Sequence, residues 1–98
     1  MFQILWRFET REDQADAFAA VYGPAGAWVV FFGEAEGYLG TELFRRAENP
    51  PCFLTLDRWD SRAAYERFHR ERAVDYTSLD AECEGLTLRE EFLAAWEG

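Results

Sequence analysis

The sequence contains no lysine; all ten of its basic residues are arginine. Without a lysine amine the chain cannot form a Schiff base, anchor pyridoxal phosphate or supply the lysine of a phosphate-binding loop. Serine occurs only at 61 and 78 and histidine only at 69, which leaves little material for a Ser-His-Asp triad. The two cysteines, Cys52 and Cys83, lie in ordinary core sequence. They fit neither a disulfide scaffold nor a CxxC motif, and we expect two reduced, buried thiols. With one histidine, a zinc site would have to be gathered from scattered cysteines and carboxylates, so we expect no metal. Gly33, Gly37 and Gly40 are spaced for turns rather than for cradling phosphate. The segment Met1–Glu9 has no basic leader, and its apolar run is too short for a signal or a span. The expectation is a cytoplasmic protein with no membrane role.

Charge of one sign is also scarce. The net charge is −9, and from Asp75 onward there are seven acidic residues and one Arg. Such a chain repels phosphate backbones and anionic lipid, so nucleic-acid partners are not expected. What the sequence has in abundance is rings: nine Phe, four Trp and four Tyr in 98 residues, with 49% of residues apolar. That is one globular domain over residues 1–98. So many rings on so short a chain point to extra burial against a partner or a ligand.

Periodicity gives the elements. Phe2, Ile4, Trp6 and Phe8 alternate with Gln3, Leu5, Arg7 and Glu9, a strand with one apolar face. Thr10 is placed to cap a helix whose seam is Ala15, Phe18, Ala19 and Tyr22, with Asp13 completing a near capping box and Gly23-Pro24 the stop. Residues 25–37 are open between strand and helix. Trp28, Phe31 and Phe32 share a helical face, and we take a short helix. Tyr38 to Arg46 and Cys52 to Trp59 are strands joined by Asn49-Pro50-Pro51. Asp60 or Ser61 caps a helical seam of Tyr65, Phe68, Arg72, Tyr76, Leu79 and Cys83, either one kinked helix or two, ended by Gly85. Leu86 to Leu93 alternates once more.

The order strand, helix, strand, strand, helix, strand is the split βαββαβ arrangement of a ferredoxin-like α+β domain. It gives a four-stranded antiparallel sheet with helices on one face and leaves the other face bare. We assign to that bare face Leu5, Arg7, Glu42, Phe44, Phe53, Asp57, Trp59, Arg89 and Leu93. Rings alternate there with charges of both signs, so two sheets are expected to pack face to face in a homodimer, a dimeric α/β barrel. Trp59 would anchor that interface, and Asp57 would pair with Arg7 or Arg89. Under the helices, Trp6 and Phe8 would floor a pocket with Trp28, Phe31 and Phe32 as its lid and Tyr65, Phe68 and His69 as its wall. His69, one helical turn beyond Tyr65, is the first choice as proton acceptor, although Glu66, Arg67, Arg70 and Glu71 around it have the texture of an exposed face. Tyr65 could share its proton. Arg72, alone in an apolar seam, would bind a carboxylate or phenolate or simply snorkel.

Two stretches, Gly37-Tyr-Leu-Gly-Thr-Glu-Leu-Phe44 and Phe53-Leu-Thr-Leu-Asp-Arg-Trp-Asp-Ser-Arg-Ala-Ala-Tyr65 with Phe68, resemble the antibiotic biosynthesis monooxygenase family of the dimeric α/β-barrel superfamily. The resemblance extends over nearly the whole chain and favours a helix at 26–34. It implies a small-molecule monooxygenase, without metal, flavin or other cofactor, that acts on an aromatic or quinol-like substrate. The substrate's own carbanion would reduce oxygen in a dry pocket. It also leaves room for a non-catalytic ligand-binding or stress-associated dimer of the same fold. The haem-degrading branch needs an Asn on the first strand, a Trp on the helix after the third strand, and a His about ten residues later. The matching positions here are Trp6, Phe68 and Ser78, so haem degradation is not implied. The candidates are therefore His69 and Tyr65 for catalysis and Trp6, Phe8, Trp28, Phe32, Phe68 and Arg72 for substrate.

Overall fold

A computed structural model describes residues 1–98. The strands are β1 (Phe2–Glu9), β2 (Tyr38–Arg46), β3 (Cys52–Trp59) and β4 (Arg89–Glu97). The helices are α1 (Ala15–Tyr22), α2 (Ala27–Phe32), α3 (Arg62–Glu71) and α4 (Ala73–Cys83). The sheet runs β2-β3-β1-β4 with every neighbouring pair antiparallel, the ferredoxin-like order that the split arrangement predicts. The ambiguous stretch folds as the short helix α2. The long seam divides into two helices at Arg72, whose backbone (φ −115°, ψ 28°) leaves the helical region. Ser61 caps α3, its hydroxyl accepting from the Ala64 N–H at 3.1 Å.

Register sets the faces. Phe2 pairs with Trp59, Ile4 with Asp57, Trp6 with Thr55 and Phe8 with Phe53. Opposite residues share a face, so Phe53, Asp57 and Trp59 lie under the helices and not on the bare face to which the alternation assigned them. The reason is that both phases of β3 are apolar, Cys52, Leu54 and Leu56 on one and Phe53, Thr55 and Trp59 on the other. Alternation gives no preference in such a strand, and a one-residue choice flips every side chain. The thick helical layer takes the larger rings. Trp59 and Phe53 are both 0% exposed. Trp59 touches Tyr38, Tyr65, Phe32 and Phe68 at ring-centre distances of 5.3 to 5.8 Å. It is the hub of the core and not an interface anchor.

Two smaller expectations also change. Thr10 does not cap a helix; its N–H donates to the Pro51 carbonyl at 3.1 Å, its side chain is fully buried, and a 3-10 turn at Glu12–Gln14 leads into α1. The last strand begins at Arg89 rather than Leu86, since Glu84–Leu86 forms a 3-10 turn, and a bulge after Phe92 shifts its phase. The apolar stretch Glu12–Phe32 is broken at the Gly23–Gly26 turn, and Phe18, Tyr22, Trp28, Phe31 and Phe32 are buried.

One glycine matters to the architecture. Gly37 has φ +96°, and a Cβ there would stand 2.8 Å from the Ala64 Cβ on α3. Its carbonyl also accepts from the Asp60 N–H at 2.7 Å. Gly37→Ala is therefore expected to cost on the order of 1–3 kcal/mol through backbone strain and the clash with α3. A denaturant midpoint equal to that of the native chain would contradict this.

The bare face mixes apolar and charged side chains, as expected, but with a different membership. With β3 in its true register it carries Leu5, Phe44, Leu54, Leu56 and Trp96. Phe44 is 48% and Trp96 38% exposed. Its charges pair within the chain, Arg7 with Glu9 at 2.7 Å and Arg58 with Glu42 at 3.2 Å.

Candidate active site

A cavity of about 70 Å³ lies between the sheet and the helices. β1 contributes Trp6 and Phe8 to its lining, α1 Tyr22, and α2 Trp28 and Phe32. β2 and β3 supply Thr41, Thr55 and Asp57, and α4 and β4 close it with Tyr76, Asp80 and Glu90. The rings are where they are because the apolar phase of β1 and the ring-bearing face of α2 meet across the core. Trp28 packs on Tyr22, Phe32 and Tyr76 at 6.0, 5.6 and 5.1 Å between ring centres.

Asp57 is the chemical centre of this slot. The Thr41 hydroxyl donates to its Oδ1 at 2.6 Å, and the Tyr38 hydroxyl in turn hydrogen-bonds Thr41. Burial among rings disfavours the carboxylate and raises its pKa to about 6, with the Thr41 hydrogen bond opposing the shift. No arginine pairs with it. A carboxyl poised near neutrality in an aromatic slot can accept and return a proton at physiological pH. Glu90 is likewise pushed up, first by burial and then by the charges of Asp80 and Glu84. Tyr76 and Tyr22 are raised mainly by burial and stay protonated.

Of the residues picked from sequence, Trp6, Phe8, Trp28 and Phe32 line the slot. His69 does not. It is wedged between the rings of Tyr65 and Tyr76, 4.3 Å from each, and burial lowers its pKa. Tyr65 packs on Phe2 and Trp59 and borders a separate groove of about 240 Å³ with Ile4, Trp6 and Phe92. Phe68 is buried against Trp59 and Phe31. Arg72 lies over the Phe31 and Phe68 rings at 5.2 and 5.7 Å and binds Asp75 at 2.9 Å and Glu34 at 3.4 Å, outside the slot. Asp57, Thr41, Tyr76, Asp80 and Glu90 were not picked out as site residues from sequence. Asp57 was misplaced with the rest of its strand phase. One signal pointed the other way: β3 ends at Trp59, directly before the Ser61 cap, where the chain must rise into the helical layer. No three His, Cys, Asp or Glu side chains converge in a way that could hold a metal ion.

The molecule is a small α+β domain with a ferredoxin-like sheet, a ring-lined slot beneath its helices and a carboxyl set within that slot. The chain belongs to the antibiotic biosynthesis monooxygenase family, whose sequence model matches residues 1–75. A Deinococcus radiodurans protein of the same family designation superposes with a TM-score of 0.72 at 16% identity, over 100% of this chain and 92% of its own. PA3566 from Pseudomonas aeruginosa gives 0.71 at 15% identity, over 99% and 92%. SnoaB from Streptomyces nogalater, a cofactor-independent oxygenase, gives 0.64 at 17% identity, over 99% and 91%. At these identities the likeness is one of fold. No curated protein sequence matches the chain.

Proposed function

We propose that this protein is a homodimeric small-molecule monooxygenase that works without metal or flavin on a phenolic or quinol-like aromatic held in the slot. The observation that carries the proposal is Asp57, a carboxyl with a pKa near 6 and no counter-ion, placed among aromatic walls. Family membership supports the oxygenase class, and the half-exposed Phe44 and Trp96 on the bare face support the dimer.

The chemistry asks little of the protein. Asp57 takes the phenolic proton, and the resulting anion carries electron density to the ring carbon opposite. That carbon gives one electron to O2, and the radical pair collapses to a C–O bond, leaving a peroxide anion that Asp57 reprotonates. The C–H bond at that carbon then breaks as the O–O bond cleaves. A quinone forms and one water leaves, with one O2 consumed. The substrate is oxidised by two hydrogens and gains one oxygen atom; the second oxygen leaves as water. The aromatic walls limit the water around the anion, which keeps it reactive towards oxygen. His69 and Tyr65, the candidates from sequence, have no direct step in this proposal; His69 packs against the Tyr76 ring, which lines the slot.

The test is oxygen uptake with small phenol- and naphthol-type substrates, before and after dialysis against a chelator. The expected result is stoichiometric O2 loss with quinone formation, unchanged by chelation. Tight binding of these aromatics with no uptake would instead establish the non-catalytic ligand-binding reading.

A further inference from the structure

Asp57 is held from one side, and the strand that holds it is irregular. Asp57 and Trp59 stand two residues apart on β3 and share a face. Their partners on β2 are Thr41 and Tyr38, which stand three apart. In a regular strand residues three apart point to opposite faces. The register shift between Tyr38 and Gly40 takes up the extra residue and turns Tyr38 to the side of Thr41. Gly40 permits this with a φ of +136°, which residues with a side chain rarely adopt. The outcome is a row of three polar groups, from the Tyr38 hydroxyl through the Thr41 hydroxyl to the Asp57 carboxyl. The Tyr38 ring fixes the start of the row, packed on Trp59 and Phe32 at 5.3 and 5.6 Å between ring centres.

The row has a direction. Thr41 has one hydroxyl proton, and it goes to Oδ1 of Asp57 at 2.6 Å. The proton between Tyr38 and Thr41 must then come from Tyr38, and each donor strengthens the next. The other oxygen, Oδ2, has no hydrogen-bond partner in the chain and is not closed off from the slot. A proton arriving on Oδ1 would have to turn both hydroxyls round, whereas a proton arriving on Oδ2 moves neither. We propose that Tyr38 and Thr41 are positioning residues of this site, anchoring Asp57 by Oδ1 so that Oδ2 is the oxygen that takes the ligand's proton. This rests on Asp57 as the proton acceptor; the coupling among the three groups does not depend on turnover.

The test is the titration of Asp57 in the intact, ligand-free protein, followed by the carbon-13 shift of its carboxyl, with Asp57→Asn identifying the signal. The groups around this carboxyl are Tyr22 from α1, Tyr38 from β2, Tyr65 from α3, Tyr76 and Asp80 from α4 and Glu90 from β4, with His69 of α3 behind the Tyr65 and Tyr76 rings. Apart from Tyr38 all of them stay in every variant, so differences between variants report the row. Thr41→Val is expected to move the midpoint up by about one pH unit, because the ionised carboxylate loses its hydrogen bond, and Thr41→Ser to keep the native value. Tyr38→Phe keeps the ring and is expected to move the midpoint up roughly a third as far. In the Thr41→Val background it should move nothing, since Tyr38 acts through Thr41. Circular dichroism checks that each variant is folded. An unmoved midpoint in Thr41→Val, a shifted one in Thr41→Ser, or a Tyr38→Phe effect that persists without the Thr41 hydroxyl overturns the proposal. Oxygen uptake is read separately, and its pH dependence is expected to follow the same order. Midpoints that move as expected in a protein that takes up no oxygen remove the oxygenase reading and leave the anchoring in place. Uptake whose pH dependence ignores all the variants overturns the role of Tyr38 and Thr41 in the reaction.

Discussion

Asp57→Asn will lower turnover by a factor on the order of 10² to 10⁴, the range expected for loss of a general base, and the same substitution will raise the melting temperature at pH 8. The second half follows from linkage. The folded-state pKa of Asp57 is about 6 against an ordinary 3.8, so the folded protein holds this proton more tightly than the unfolded chain. The stability this group contributes is complete below about pH 4 and is lost as pH rises through about 6. At pH 8 the ionised carboxylate is a burden of up to about 3 kcal/mol, from about two pK units. Asparagine keeps an oxygen for the Thr41 hydroxyl and removes the charge, so a gain of about 1–2 kcal/mol, several degrees in a domain this size, is expected at pH 8. At pH 5 the native residue is mostly protonated and the advantage should shrink. Melts at the two pH values together with oxygen uptake check both halves. A variant that is less stable at pH 8, or that turns over normally, removes Asp57 from the proton-acceptor role.

Asp57 also shows where the sequence was legible and where it was not. β1 could be placed because Phe2, Ile4, Trp6 and Phe8 are apolar and their neighbours mostly polar, so period two had one reading. α2 was open between strand and helix on periodicity alone, and only the family resemblance favoured the helix; in it Trp28, Phe31 and Phe32 are all buried. β3 offered no such contrast. Its two phases are equally apolar, its facing depends on pairing with β1, and pairing is a tertiary fact. The error carried Asp57 to the bare face with Trp59 and so hid the slot's carboxyl. His69 was chosen for its chemistry, since a lone imidazole is the obvious proton acceptor, but its position between two tyrosine rings depends on where α3 breaks into α4. The bulge after Phe92 had no local signal, and it decides which residues of β4 face outward.

The corrected facing of β3 separates two substitutions that alternation would have confused. Leu54→Glu is expected to yield a folded monomer, whereas Trp59→Ala is expected to unfold the domain. Leu54 lies on the bare face, partly exposed, beside Phe44 and Arg7 in the register. Two copies related by a two-fold axis would each bring Leu5, Phe44, Leu54, Leu56 and Trp96 to the same seam, so one introduced carboxylate appears twice. Burying it without a partner costs about 3–5 kcal/mol per copy, which exceeds what most interfaces of about 800 Å² per partner can absorb. The isolated domain loses nothing by it, because water already reaches that face. Trp59 is the opposite case. Its ring contacts four others and is fully buried, and its removal leaves a void at the centre of the core costing about 3–5 kcal/mol. In a domain of this size that is much of the whole stability. Sedimentation at micromolar concentration should therefore show twice 11.4 kDa for the native chain and 11.4 kDa, with native circular dichroism, for Leu54→Glu. A native chain that sediments as the single unit would mean that the apolar strip is open to water in solution, and the sheet face would then need another occupant or another explanation for its rings.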